Sequence, residues 1–193
     1  MYKKNLENDI KSDTSGHFKK VLVSLLTASR PSGNLVDRTQ AKLDSEELLN
    51  AGTKKWGTDE SKFVTILCTR SFSQLRAMFD EYEQLTGHSI EEDLKKECSG
   101  DLLRVFLSIV ACVRDKQAHF ASILLKSMKG LGTKESSLIR VIVGRCEIDL
   151  VQIKQKFEQI SKKSLAEYIK GDTSGDFRKV LLILIGDEDA IKK

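Results

Sequence analysis

Residues 172–185 read DTSGDFRKVLLILI, and the same phrase occurs twice more, as DTSGHFKKVLVSLL at 13–26 and ECSGDLLRVFLSIV at 97–110. Each copy opens on an acidic residue, passes through Ser-Gly and continues with apolar residues at three-to-four-residue spacing. In one copy these are Leu102, Val105, Phe106 and Ile109, with Val113 just beyond it; in another, Phe177, Val180, Leu181 and Leu184. That period puts the apolar side chains on one face of a helix, whereas a strand would alternate them. A phrase repeated three times marks a chain assembled from copies of one supersecondary unit.

The repeat extends outward from this phrase. Gly57-Thr58 overlays Gly132-Thr133, 75 residues further on. In the same register Glu60-Ser61 falls on Glu135-Ser136, Arg70 on Arg145, Leu75 on Leu150 and Tyr82 on Phe157. Each unit reads as five helices, A to E. Helix A covers roughly 38–51 and 116–128, and helix B follows a glycine loop, with Thr58 or Thr133 expected as its N-cap and Glu60 or Glu135 in its first turn. Helix C carries Leu75, Met78, Phe79 and Tyr82, then Leu150, Ile153 and Phe157; a short helix D is expected to end at Lys96 and Lys170. The expected fold is all-α. Residues 1–27 supply helices D and E of a partial unit, 28–37 form a linker, and 38–113 and 114–193 are complete units, the second with a C-terminal tail.

Composition narrows the function. The chain has 193 residues, a formal charge of +4 and a single proline. The charge suits an anionic partner surface only weakly, and no nucleic-acid partner is expected. No apolar run is long enough to span a bilayer, and the start, MYKKNLENDIK, lacks the apolar segment of a signal peptide. Cys68, Cys98, Cys112 and Cys146 show no C-x-x-C pairing and read as reduced core residues, with a Cys68–Cys112 disulfide left as an alternative.

The glycine loops carry the chemistry. Residues 55–61 read KWGTDES and 128–136 read MKGLGTKES. Glu97 lies 40 residues after Gly57, and Asp172 lies 40 after Gly132, so a carboxylate persists while its side-chain length varies. If the A–B and D–E hairpins pack side by side, loop carbonyls and carboxylate meet at one end of the bundle. Such oxygens suit calcium, which takes about six to eight at about 2.3–2.6 Å in irregular geometry. Zinc would ask for Cys or His at ligand spacing, and His17, His88 and His119 are scattered. One carboxylate per ion leaves positive charge, so an anionic surface is expected to complete the shell.

MKGLGT with an acid 40 positions on, in units of about 75 residues, resembles the annexin repeat, and KWGT resembles the loop of its third repeat. The likeness covers essentially the whole chain, as the end of a second repeat followed by a third and a fourth. It implies calcium-dependent, reversible binding to acidic phospholipid membranes by a non-enzymatic protein, cytoplasmic and peripheral on membranes when calcium rises. It also allows self-association on the membrane. Carried over by position, calcium would be held by Gly52, Lys55 and Gly57 with Glu97, and by Met128, Gly130 and Gly132 with Asp172. Secondary sites would use Thr58 with Glu60 and Thr133 with Glu135. Asp13 matches the carboxylate position but, without a partner loop, is expected to be a poor site and reads as a cap for the helix that follows. Because the chain begins inside a unit, the likeness also implies a piece or short form of a longer annexin.

Other readings stay in view. Trp56 is either a packed loop aromatic or an indole settled at the lipid interface. Lys54, Lys55, Lys129 and Lys134 are either a solvated face or attracted to anionic lipid. Arg70 and Arg145 are read as structural, bonding helix C-terminal carbonyls or a buried acid. The competing function is a calcium-independent helical scaffold for another protein. Enzyme chemistry is disfavoured, since no G-x-x-x-x-G-K-[ST], G-x-S-x-G or H-E-x-x-H motif occurs.

Overall fold

The computed structural model describes residues 5–52, 59–130 and 132–187. Eleven helices occur among them: α1 (Leu6–Asp13), α2 (Gly16–Leu26), α3 (Arg38–Gly52), α4 (Glu60–Thr69), α5 (Phe72–Thr86), α6 (Ile90–Glu97), α7 (Gly100–Met128), α8 (Glu135–Arg145), α9 (Leu150–Ser161), α10 (Leu165–Asp172) and α11 (Gly175–Leu184). The described residues contain no strand. The chain divides into two units, Met1–Arg114 and Asp115–Lys193. The division falls inside α7, where Asp115 leaves helical geometry at φ −153° and ψ 96°. The last helix of one unit and the first of the next are thus joined without a loop.

Local chemistry sets the helix ends. Ser89 with Glu92 and Ser164 with Glu167 form capping boxes at the starts of α6 and α10, satisfying backbone donors that the first turn leaves open. Gly16, Gly100 and Gly175 each begin an E-type helix at φ +58° or +59°. That left-handed conformation disfavours a Cβ, which explains why Ser-Gly recurs in all three copies of the phrase. Helix B starts one residue later than expected. The N-caps are Asp59, whose carboxylate accepts from Ser61 N–H, and Lys134, which makes no side-chain cap.

In the first unit α3 packs on both α4 and α5, and α2 packs on α4. Phe63, Leu67, Met78, Phe79, Tyr82, Leu94 and Phe106 are buried there. In the second unit α11 packs on α8 and α10, around buried Leu124, Leu138, Ile142, Ile153, Phe157 and Ile169. Each such side chain contributes about 1.5–3 kcal/mol relative to exposure. The linker is anchored as well: the Arg30 guanidinium donates to the carbonyls of Leu67, at 2.7 Å, and Arg70, closing the C-terminal end of α4. None of the four cysteines is in a disulfide.

Arg70 and Arg145 both bond acids, as expected. Arg70 clasps buried Asp44 through Nε and Nη2 at 2.7 and 2.9 Å. Arg145 bonds Asp149 through Nε at 2.7 Å.

Candidate cation site

Two loops join helix A to helix B, and a backbone hydrogen bond closes each. Asp59 N–H donates to Ala51 carbonyl at 3.0 Å, and Lys134 N–H donates to Ser127 carbonyl at 2.8 Å. The first bond spans eight residues and the second seven, so the first loop is one residue longer.

The second loop runs from Met128, the buried last residue of α7. Gly130 and Gly132 take φ +117° and +79°, values that turn the backbone sharply and favour glycine. Thr133 follows. Its hydroxyl lies 2.6 Å from Asp172 Oδ2 and 2.9 Å from the Asp172 carbonyl. Asp172 ends α10, 39 residues away. This tertiary bond draws the Thr133 side chain away from the expected capping role, and Lys134 takes the N-cap position instead. Lys129 and Glu135 are exposed beside the loop.

The first loop begins at Gly52, the buried end of α3. A Cβ built there would stand 3.3 Å from Glu97 Cγ and 3.7 Å from Glu97 Cδ. The Glu97 side chain, at the end of α6, therefore lies directly against the start of the loop. Glu60 opens α4 at the same end, because both Glu60 and Glu97 act on the Cys98 thiol. Burial first, and then these two carboxylates, push that thiol up to about 11. Lys54, Lys55, Trp56, Gly57 and Thr58 lie outside the described residues.

The donor chemistry fits a hard cation. Cys98 stays protonated at neutral pH and offers no thiolate for a softer metal. Among the described residues no three His, Cys, Asp or Glu side chains group to hold a metal. What the described residues bring together is Glu97 against Gly52 in the first unit and Asp172 against Thr133 in the second; carboxylate and other oxygen donors are the kind calcium accepts. Asp13 does not join such a set. It is exposed at the end of α1, accepts from the Ser12 hydroxyl at 3.1 Å, and does not cap α2, whose N-cap is Ser15.

A buried polar cluster in the first unit was not anticipated. Asp93 Oδ2 accepts from Tyr82 hydroxyl at 2.6 Å and lies 2.7 Å from His88 Nε2, while Lys96 Nζ donates to Oδ1 at 2.9 Å. Burial raises the Asp93 pKa, but these bonds outweigh it and hold the carboxyl below its ordinary value. The signal was readable as Tyr82 and Asp93 standing where the second unit has Phe157 and Tyr168, which instead meet edge-on at 5.2 Å. The cluster braces α5 against α6 and so supports the helix that ends in Glu97.

Comparison with known proteins identifies the repeat. The annexin family model matches residues 1–25, 44–109 and 119–184. Annexin A4 of pig (Sus scrofa) is 51% identical over 188 residues, covering 97% of this chain and 59% of that protein. The structure of annexin III superposes with a TM-score of 0.93 at 45% identity, covering 96% of this chain and 57% of that one. A calcium-bound structure of annexin (Sm)1 superposes with a TM-score of 0.85 at 29% identity, covering 97% and 55%. The chain thus spans about three-fifths of the length of these relatives. No described helix is long and apolar enough to cross a membrane. With the repeat matched across most of its residues, the chain belongs to the annexin family, which is non-enzymatic.

Proposed function

We propose that this chain binds acidic phospholipid membranes peripherally and reversibly through calcium held at the two loops. The observation that carries the reading is the pairing of each A–B loop with the acid that ends helix D: Gly52 with Glu97, and Thr133 with Asp172. Glu97 and Asp172 supply the only strongly charged oxygen of each set. Gly52, Lys55 and Gly57, and Met128, Gly130 and Gly132, would supply backbone carbonyls. Thr58 with Glu60 and Thr133 with Glu135 would form secondary sites. Calcium held by these oxygens would supply positive charge able to attract lipid phosphate. A single carboxylate per ion leaves the shell short of oxygen and of negative charge, so binding strengthens where a phosphate completes it. Lys54 and Lys129 add attraction of about 1 kcal/mol each to an anionic surface, and Trp56 offers an indole for the interface. Annexins as a family bind phospholipid membranes in a calcium-dependent way.

Vesicle co-sedimentation tests the proposal. The chain should pellet with phosphatidylserine vesicles in calcium and return to the supernatant in chelator. The Glu97→Gln, Asp172→Asn double variant should lose this response while keeping its helical circular dichroism. Each single variant should need more calcium by about tenfold or more. Pelleting that ignores calcium, or a double variant that binds normally, would reject the site and favour a scaffold role.

A further inference from the structure

Gly52 stands apart from the other described glycines. It closes α3 within the helix and takes no left-handed φ, so its backbone does not ask for glycine, which is among the poorest helix formers. What the position lacks is room. Among the described glycines, Gly52 alone would bring an added Cβ within 4 Å of another part of the chain. The atoms met are Glu97 Cγ at 3.3 Å, Glu97 Cδ at 3.7 Å and Phe63 Cζ at 3.7 Å. The space beside the loop entry is thus filled by the aliphatic arm of the acid and by a buried ring of α4. The second unit carries a different set at the matching positions. Counted from the loop-closing bonds, Gly52 matches Met128, while Phe63 matches Leu138 and Glu97 matches Asp172. All three change together: the side chain at the loop entry grows, and its two neighbours shrink. Met128 and Leu138 are both buried and belong to one core.

We infer that the loop-entry residue is a positioning residue that sets the length of acid its site accepts: Gly52 leaves room for the arm of Glu97, and Met128 goes with the arm of Asp172, shorter by one methylene. At 3.3 Å, a Cβ on residue 52 would stand inside the ordinary carbon–carbon contact distance of about 3.5–4.0 Å. The crowded atom is a methylene in the middle of the Glu97 side chain, not its free end. The arm would have to swing aside and carry its carboxylate with it. An ion site tolerates little of that, since ligand distances must hold to about 0.2 Å. Gly52 with Glu97, and Met128 with Asp172, are therefore matched pairs in which one member cannot change alone without moving the acid. The steric match stands on packing; its effect on calcium rests on the function proposed above.

Two measurements on the full chain separate these parts. The first is thermal unfolding in chelator. Gly144 is also helical, but it is exposed and an added Cβ there meets nothing within 4 Å. Gly144→Ala should therefore raise the melting midpoint by about 2 °C. Gly52→Ala makes the same change in a helix and should leave the midpoint unchanged or lower it. A rise equal to that of Gly144→Ala would overturn the inference. The second measurement is the calcium needed for half-maximal pelleting with phosphatidylserine vesicles in an Asp172→Asn chain, where the first loop carries the response. Gly52→Ala and Glu97→Asp should each raise that requirement about threefold or more, and together by less than the product of the two, because the shorter acid answers the added methyl. Losses that multiply in full would overturn the matching. An Asp172→Asn chain with no calcium response, in which Gly52→Ala still fails to stabilise, would overturn calcium at the first loop while supporting the steric match.

Discussion

Arg70 and Arg145 stand at the same position near the end of helix B in the two units, yet their acids come from different helices. Arg70 takes Asp44 from helix A. Counted back from the loop-closing bonds, the residue matching Asp44 is Phe120, whose ring lies under the Arg145 guanidinium at 4.9 Å. Arg145 takes Asp149 from the start of helix C instead. The first unit has Gln74 there, and that amide bonds both backbone groups of Asp37 at 2.9 and 2.8 Å. A desolvated carboxylate costs several kcal/mol unless paired. The constraint is therefore one buried acid per partly exposed arginine. Which helix supplies it is free to drift, provided the vacated position is refilled by something that still packs.

Breaking the pairs should separate the units most clearly. Arg70→Met leaves fully buried Asp44 with Gln40, its other donor among the described residues, at 2.8 Å, and should cost about 3 kcal/mol. Arg145→Met leaves Asp149 with Gln117 at 3.0 Å and Lys116 at 4.0 Å, and should cost about 1–2 kcal/mol. Urea unfolding with amide exchange resolved by unit would measure both; a larger loss for Arg145→Met would reverse the reading.

A transplant would sharpen the comparison. Asp44→Phe strands Arg70 without an acid, and adding Gln74→Asp re-creates the arrangement of the second unit. The double variant should recover at least about 1 kcal/mol relative to the sum of the singles. Additive losses would show that the acid cannot be relocated.

The smallest effect is in pH. Hydrogen bonding from Arg145 holds the Asp149 carboxyl below its ordinary value of 3.8, against burial. The folded state then binds fewer protons than the unfolded one. The resulting stability is complete above the ordinary carboxylate value and disappears as pH falls through the lowered one. Asp149→Asn should therefore destabilise the second unit at pH 7 and make less and less difference as pH falls through that lowered value. Acid titrations of the two proteins that stay parallel would assign the bond no electrostatic role.

Much of this was legible because it is local or repeated. The 3.6-residue apolar period gave the helices, and the threefold phrase marked the D–E turns. The constant 40-residue interval pointed to the approach of Glu97 to Gly52 and of Asp172 to Thr133. Features created by tertiary contact were hidden. An arginine that needs an acid could be recognised, but not that Asp44 and Asp149 come from non-equivalent positions. Thr133 looked like a helix cap by local rules, and Asp172 from a remote helix claimed its hydroxyl. Helix D was expected to end at Lys96 and Lys170; it continues to Glu97 and Asp172, so the acids sit on ordered helix ends.

The bonds that close the A–B loops carry one more implication. Upstream of them the two units match at an interval of 76 residues and downstream at 75, so the extra residue is absorbed wholly between Ala51 and Asp59. The bracket behaves as a socket. What is plugged into it can change length without shifting the bundle on either side, and the segment 53–58 should be exchangeable for 129–133 as a self-contained cassette.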